Sequence, residues 1–97
     1  MKEIDNIIAN ETEFFKFLKS KFTLIHMSNL FFRDFHYGVM LYLADHGMKL
    51  KYEKAEQVAR AVAAAFEKKG LFKSIDHQSW LLNYPEFALP RTEKKAS

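Results

Sequence analysis

The feature that most constrains the fold is the segment 28–47, SNLFFRDFHYGVMLYLADHG, in which apolar residues dominate. On a helix, at about 100° per residue, these residues form two faces on nearly opposite sides. The broad face holds Phe31, Phe32, Phe35, Val39, Tyr42 and Leu43, and the second face holds Leu30, Tyr37, Leu41 and Ala44. Two polar seams separate the faces, one of Asn29, Arg33 and His36 and the other of Asp34, Gly38 and Asp45.

Such a helix must be covered on both faces, because a soluble monomer rarely exposes a contiguous apolar patch. Neighbouring helices can cover the broad face, and the second face needs the C-terminal segment around Trp80, a second copy of the chain or a different protein partner. Gly38 costs about 1 kcal/mol relative to alanine inside a helix, which indicates either a closely approaching backbone or a tolerated glycine. We predict a homodimer formed through residues 29–46. Its predicted interface consists of Leu30, Tyr37, Gly38, Leu41, Trp80 and Tyr84.

The hydrophobic periodicity along the chain predicts an all-α fold, a compact four-helix domain over residues 1–90. The predicted helices cover about 3–21, 29–46, 53–69 and 75–83. The third is the clearest, because its alanine-rich sequence YEKAEQVARAVAAAFEKKG places apolar residues on one side and charged residues on the other. Within it, Glu56 and Arg60 have the spacing of a helical ion pair.

Local signals refine the ends of these helices. Asn10 with Glu13 resembles a capping box, so the first helix can restart there. Gly47 and Gly70 each follow an apolar periodic segment, as left-handed glycines do at helix C-termini. The fourth segment, SIDHQSWLLNY, also fits a β-hairpin that turns at residues 76–77, but the capping residue Ser74 favours a short helix.

Composition bounds the class of protein. The chain has 97 residues, of which 48 % are hydrophobic and 15 % aromatic, and this predicts one packed domain. Cysteine is absent, which excludes disulfides, thiolate nucleophiles and cysteine-bound metals and fits a reducing compartment. The N-terminus MKEIDNIIAN lacks the apolar run of a signal peptide, and no apolar run is long enough to span a bilayer. We predict a cytoplasmic protein that does not bind a membrane.

No catalytic or cofactor-binding motif is recognisable, so we predict a protein that is not an enzyme and has no cofactor or metal. His26, His36 and His46 are ten residues apart, a spacing that does not put two of them on one helical face. Arg33 and His36 share one polar seam, whereas Asp34 lies on the other, so these groups do not converge on one site. A small-ligand pocket near His36 and Tyr37 is a further alternative.

The charge distribution suggests a second function class. The net charge is +3, and residues 49–97 hold ten Lys or Arg against six Asp or Glu. The order of three helices and a hairpin would also resemble a winged helix in outline, so the alternative function is that of a basic nucleic-acid-binding regulator. Its candidate contacts are Lys49, Lys51, Lys54 and Lys73. Acidic residues on the outer side of the third helix oppose this alternative. The basic tail 91–97 is predicted to be disordered.

Overall fold

The structure is a computed structural model that describes residues 2–88. Along the chain the elements are α1 (Lys2–Ala9), α2 (Glu11–Lys21), β1 (Asn29–Phe31), α3 (Phe32–Asp45), α4 (Tyr52–Lys68), β2 (Phe72–Asp76) and β3 (Ser79–Leu82), followed by a 3-10 turn at Pro85–Phe87. Four helices are thus combined with a three-stranded sheet, and the predicted all-α fold is wrong. The predicted tail 91–97 and the end of the predicted domain at residue 90 lie outside the described residues.

The sheet is antiparallel and has the strand order β1-β3-β2. The predicted helix 75–83 is wrong, and the hairpin alternative is correct, with the turn one residue later, at 77–78. A carboxylate oxygen of Asp76 fixes this turn by accepting hydrogen bonds from the backbone N–H of Gln78 and the hydroxyl of Ser79. Trp80 and Leu82 on β3 are both buried, because this central strand is paired on each edge and packs against the helices.

The predicted helix 29–46 is shorter than expected and begins at Phe32. Residues 29–31 form β1 instead, where Leu30 lies opposite Trp80 in the sheet register. Met27, just before this strand, has a positive φ of 68° and turns the chain into it. Leu30 therefore does not lie on the helical face to which the periodicity assigned it.

The predicted helix 3–21 is divided into α1 and α2 at Asn10. The side chain of Asn10 donates to the carbonyl of Asn6 and makes no capping bond, so the predicted capping box is wrong although the restart is confirmed. The third helix is confirmed to within one residue at each end. Gly47 and Gly70 have φ values of 79° and 82°, which confirms the two left-handed helix ends.

Aromatic rings from every layer form the core. Phe35 of α3 contacts Phe14 of α2, Phe72 of β2 and Trp80 of β3 edge-to-face, with ring centroids 5.3–5.9 Å apart. Such contacts add about 0.5–1.5 kcal/mol each to the free energy gained by burial. None of the helices within residues 2–88 has the length and hydropathy needed to cross a lipid bilayer.

Candidate functional site

Four of the six predicted interface residues lie inside the fold. Leu30 and Trp80 are buried in the sheet, and Tyr84 is buried with its ring stacked on that of Phe15 at 4.5 Å. Gly38 is buried against α2, where a Cβ atom would meet the side chains of Leu18 and Phe22. These four residues pack within the chain. Trp80 contacts Phe32 and Phe35 of the broad face, so the C-terminal segment does not cover Tyr37 and Leu41 of the second face, as one alternative expected.

Tyr37 and Leu41 remain on the surface. Tyr37 is 57 % exposed and Leu41 is partly buried, and both belong to the side of α3 that is turned away from the core. We call this side the α3 outer face. At 100° per residue, and with Phe32 set at 0°, this face spans about 80° to 220° around the helix. In that order its residues are Met40, Arg33, Ala44, Tyr37, Leu41, Asp34 and Asp45.

The α3 outer face has two different edges. Met40 and Arg33 lie on the edge next to α4. On this edge a groove of about 360 Å³ runs between α3 and residues 49–51, which belong to the link between α3 and α4. By helical periodicity Asp34 and Asp45 lie on the opposite edge, on the side of Gly38, which packs against α2. The face is therefore apolar along its middle, basic along one edge and acidic along the other.

None of these edge charges is neutralised within the fold. The ion pairs within residues 2–88 join His46 to Glu13 and Lys69 to Glu11. Arg33 and Asp45 are exposed, and Asp34 is partly exposed. None of these three charges has an ion-pair partner among residues 2–88.

A second candidate site is the α3–α4 cleft, which opens between the first turns of α3 and α4. Its volume is about 630 Å³. The residues that line it are Phe31, Phe32, Arg33, Asp34, His36, Tyr52, Glu56, Arg60 and Gln78. A neighbouring cleft of about 390 Å³ shares four of them and extends to Tyr37 and Met40.

His36 is the most deeply buried polar residue of the cleft, at 3 % exposure. Its ring lies between those of Phe32 and Tyr52, with centroid distances of 5.5 and 4.4 Å. Nε2 contacts the backbone carbonyl of Tyr52 at 3.1 Å. Because a carbonyl can only accept, Nε2 carries the hydrogen, and Nδ1 of the neutral ring is an acceptor.

Arg60 is held over the same cleft. Its guanidinium lies 3.6 Å from the centroid of the Phe32 ring and donates to the carbonyl of His77 at 3.1 Å. The ion pair predicted between Arg60 and Glu56 is absent from the ion pairs of residues 2–88, because Phe32 and the hairpin hold the guanidinium elsewhere. Glu56 is left with a partly buried carboxylate on the cleft wall.

The sequence analysis did not identify Tyr52, Glu56 and Arg60 as site residues. Their spacing of four residues places all three on one stripe of α4, and this signal was present in the sequence. It could not be interpreted without knowing that the N-terminal turn of α3 faces the stripe. Phe31, predicted to lie on the buried broad face, is 54 % exposed because it belongs to β1.

The predicted nucleic-acid contacts are spread over several elements. Lys49 and Lys51 are exposed in the link between α3 and α4, where both line the groove beside α3. Lys54 lies in the first turn of α4, and Lys73 is exposed on the edge strand β2.

No protein-family model matches the chain, and no curated protein or solved structure is significantly similar to it.

Proposed function

We propose that this protein is a small assembly module that forms a homodimer through the α3 outer face. The observation that carries the proposal is the arrangement of charge on that face, with unpaired basic and acidic groups along opposite edges of one apolar strip. Tyr37 supplies an exposed aromatic ring at its centre, and tyrosine is enriched at the energetic centres of interfaces.

The proposed dimer has its two-fold axis parallel to α3. Such an axis brings the basic edge of one copy against the acidic edge of the other at the same height along the helix. Arg33 then faces the partner's Asp34, since the two positions differ by one residue, or about 1.5 Å of rise. Tyr37 packs against its own symmetry mate, and Met40 packs against the partner's Leu41.

The link between α3 and α4 extends the same complementarity. Lys49 lines the groove on the basic edge beside Ala44, and Asp45 lies at a similar height on the acidic edge. An antiparallel arrangement brings like edges together instead and places Asp34 opposite the partner's Asp45. Like charges repel at this separation, so electrostatics favour the parallel arrangement.

Light scattering of the full chain tests this proposal, over protein concentrations from about 1 µM to about 500 µM. We expect a mass that rises to that of a dimer within this range. Tyr37→Asp and Leu41→Asp each place a charge in the apolar middle and are expected to weaken the dimer at least tenfold, or about 1.4 kcal/mol.

Ile75→Asp is the matched control, because Ile75 is an apolar residue of similar exposure, 52 %, on β2 and away from α3. It should leave the dimer unchanged. A wild-type mass that stays monomeric over the whole range would refute the proposal, as would equal weakening by the control.

The second candidate function is nucleic-acid binding, and the hairpin favours it. The order of helix, strand, two helices and hairpin resembles a winged helix in outline more closely than the sequence suggested. Glu53 and Glu67 on the exposed side of α4 oppose it, since both repel phosphate. Reversing the charges of Lys49, Lys51 and Lys54 should abolish salt-dependent binding if this candidate is correct. The cytoplasmic location inferred from the sequence stays a prediction.

A further inference from the structure

The α3–α4 cleft contains a buried polar group with unused bonding capacity. Nδ1 of His36 makes no hydrogen bond to any residue in the range 2–88, although the side chain is almost wholly enclosed. Two side-chain polar atoms among residues 2–88 lack both solvent contact and a hydrogen-bond partner, and Nδ1 of His36 is not one of them. The atom is therefore in contact with solvent, and in the Nε2–H tautomer it can accept a hydrogen bond from a ligand in the cleft that His36 lines.

Charges of both signs line the cleft, with Arg33 and Asp34 on α3 and Glu56 and Arg60 on α4. Glu56 and Arg60 are one turn apart on α4, a rise of about 6 Å, and they do not pair with each other. Arg60 is fixed by Phe32 and the carbonyl of His77, which uses one of the five N–H donors of its guanidinium. Within residues 2–88 the remaining donors of Arg60 have no partner, and neither has the carboxylate of Glu56, so the first can bond to a carboxylate and the second to a cation.

We infer that the α3–α4 cleft binds a free α-amino acid with an apolar side chain. The ammonium group lies between the carboxylate of Glu56 and Nδ1 of His36, both of which accept its hydrogens. The carboxylate of the ligand bonds to the guanidinium of Arg60, and its side chain packs against the exposed rings of Phe31 and Tyr52.

Simple ions fit this cleft less well than a zwitterion does. An anion attracted by Arg60 would be repelled by the carboxylate of Glu56, and a cation attracted by Glu56 would be repelled by the guanidinium of Arg60. A ligand that carries both charges one carbon apart satisfies both groups at once. The volume of about 630 Å³ lies within the usual range of small-molecule sites.

This inference does not depend on the proposed dimer. The groups assigned to the ligand are His36, Glu56 and Arg60, and none of them belongs to the α3 outer face, although Arg33 and Asp34 of that face also line the cleft. The variants Tyr37→Asp and Leu41→Asp change neither set, so they should weaken pairing and leave amino-acid binding intact.

Isothermal titration calorimetry of the full chain with L-phenylalanine, L-leucine and L-tryptophan tests the inference. We expect at least one of them to bind with a Kd below about 1 mM. Two half-ligands measure the contribution of each charge to binding separately. Phenethylamine keeps the ammonium group of L-phenylalanine, and 3-phenylpropanoate keeps its carboxylate. Each should bind at least tenfold more weakly than L-phenylalanine, if that amino acid is the one that binds.

Glu56→Gln and Arg60→Lys are the test variants, and Glu53→Gln, an exposed change in the first turn of the same helix, is the control. Both test variants should weaken binding at least tenfold while the control binds normally. A thermal melt of each variant shows that it is folded, and Glu56→Gln keeps the shape of the side chain.

Three results would overturn the inference. One is the absence of heat from all three amino acids at concentrations up to about 10 mM. Another is a half-ligand that binds as well as the complete amino acid, and the third is a folded Glu56→Gln variant with unchanged affinity.

Discussion

The side chain of Leu18 occupies the space beside Gly38 that a Cβ atom would need. This contact lets α2 approach α3 closely and explains why glycine stands in the interior of an otherwise regular helix. The sequence offered the close approach of a backbone as one alternative, whereas the groups that approach are side chains of α2 and its C-cap in the same chain and not a second subunit. Gly38 therefore belongs to the internal packing and not to the proposed interface.

Gly38→Ala should destabilise the protein. Alanine favours the helix by about 1 kcal/mol, but its methyl group overpacks against the buried Leu18, which costs about 1–3 kcal/mol. In a Leu18→Ala background the space is free, and the same substitution should stabilise by up to about 1 kcal/mol. Urea unfolding of the four members of this double-mutant cycle measures the effect. Equal effects of Gly38→Ala in both backgrounds would contradict the packing described.

Tyr42→Phe should leave the stability unchanged or raise it by up to about 1 kcal/mol. Tyr42 is fully buried, and its hydroxyl has no hydrogen-bond partner among residues 2–88. Burial raises the pKa of this hydroxyl, since the ionised form is poorly solvated there. Thermal unfolding measures the change, with the exposed Tyr37→Phe as the control. A loss of more than about 1 kcal/mol would show that the hydroxyl has a partner.

The stability should depend on pH through His46. Its Nδ1 donates to the carbonyl of Tyr42 at 2.8 Å, and its Nε2 lies 3.3 Å from the carboxylate of Glu13. Both nitrogens face acceptors, so the pKa of His46 is raised, chiefly by the backbone hydrogen bond and further by Glu13. A raised pKa means that this stabilisation is complete below the unfolded value of about 6.5 and is lost as the pH rises through the folded value.

We therefore expect the melting temperature of the wild type to exceed that of His46→Asn most at about pH 6, with the difference shrinking towards pH 8. Comparing the two melting curves at each pH isolates His46 from the other histidines. Glu13→Gln should reduce the difference, and Glu53→Gln, far along the chain on α4, should not. A difference that grows with pH would contradict this account.

The sequence predicted the elements that are stabilised locally. Helix α4 was found to within one residue because its apolar stripe and its alanine content act within the segment itself. Gly47 and Gly70 were identified as helix ends because a left-handed conformation restricts the residue type wherever it occurs. The two polar seams of α3, with Arg33 on one and Asp34 and Asp45 on the other, were also visible from periodicity alone.

The sheet could not be predicted in the same way. Strand β1 has three residues and exists because β3, far along the chain, pairs with it. Strand β3 is only four residues long, and Leu81, between the buried Trp80 and Leu82, is itself apolar, so the segment lacks the polar alternation that marks a half-buried strand. The sequence offered a pocket near His36 and Tyr37 as an alternative, but the part that α4 plays in the cleft was missed, since Glu56 and Arg60 reach it only through tertiary packing.

The most direct test of the proposed dimer is a charge exchange across its two-fold axis. Arg33→Asp makes both edges acidic at this height, and Asp34→Arg makes both edges basic, so each variant alone should be monomeric. Mixed in equal amounts, the two variants should form a heterodimer, because the two acidic side chains at positions 33 and 34 of one variant then face the two basic side chains of the other.

Light scattering of the separate variants and of the mixture gives the answer. The account predicts two monomers and a mixture with the mass of a dimer. The account is contradicted if each variant alone dimerises as well as the wild type. It is also contradicted if the two folded variants, once mixed, stay monomeric at concentrations where the wild type is dimeric.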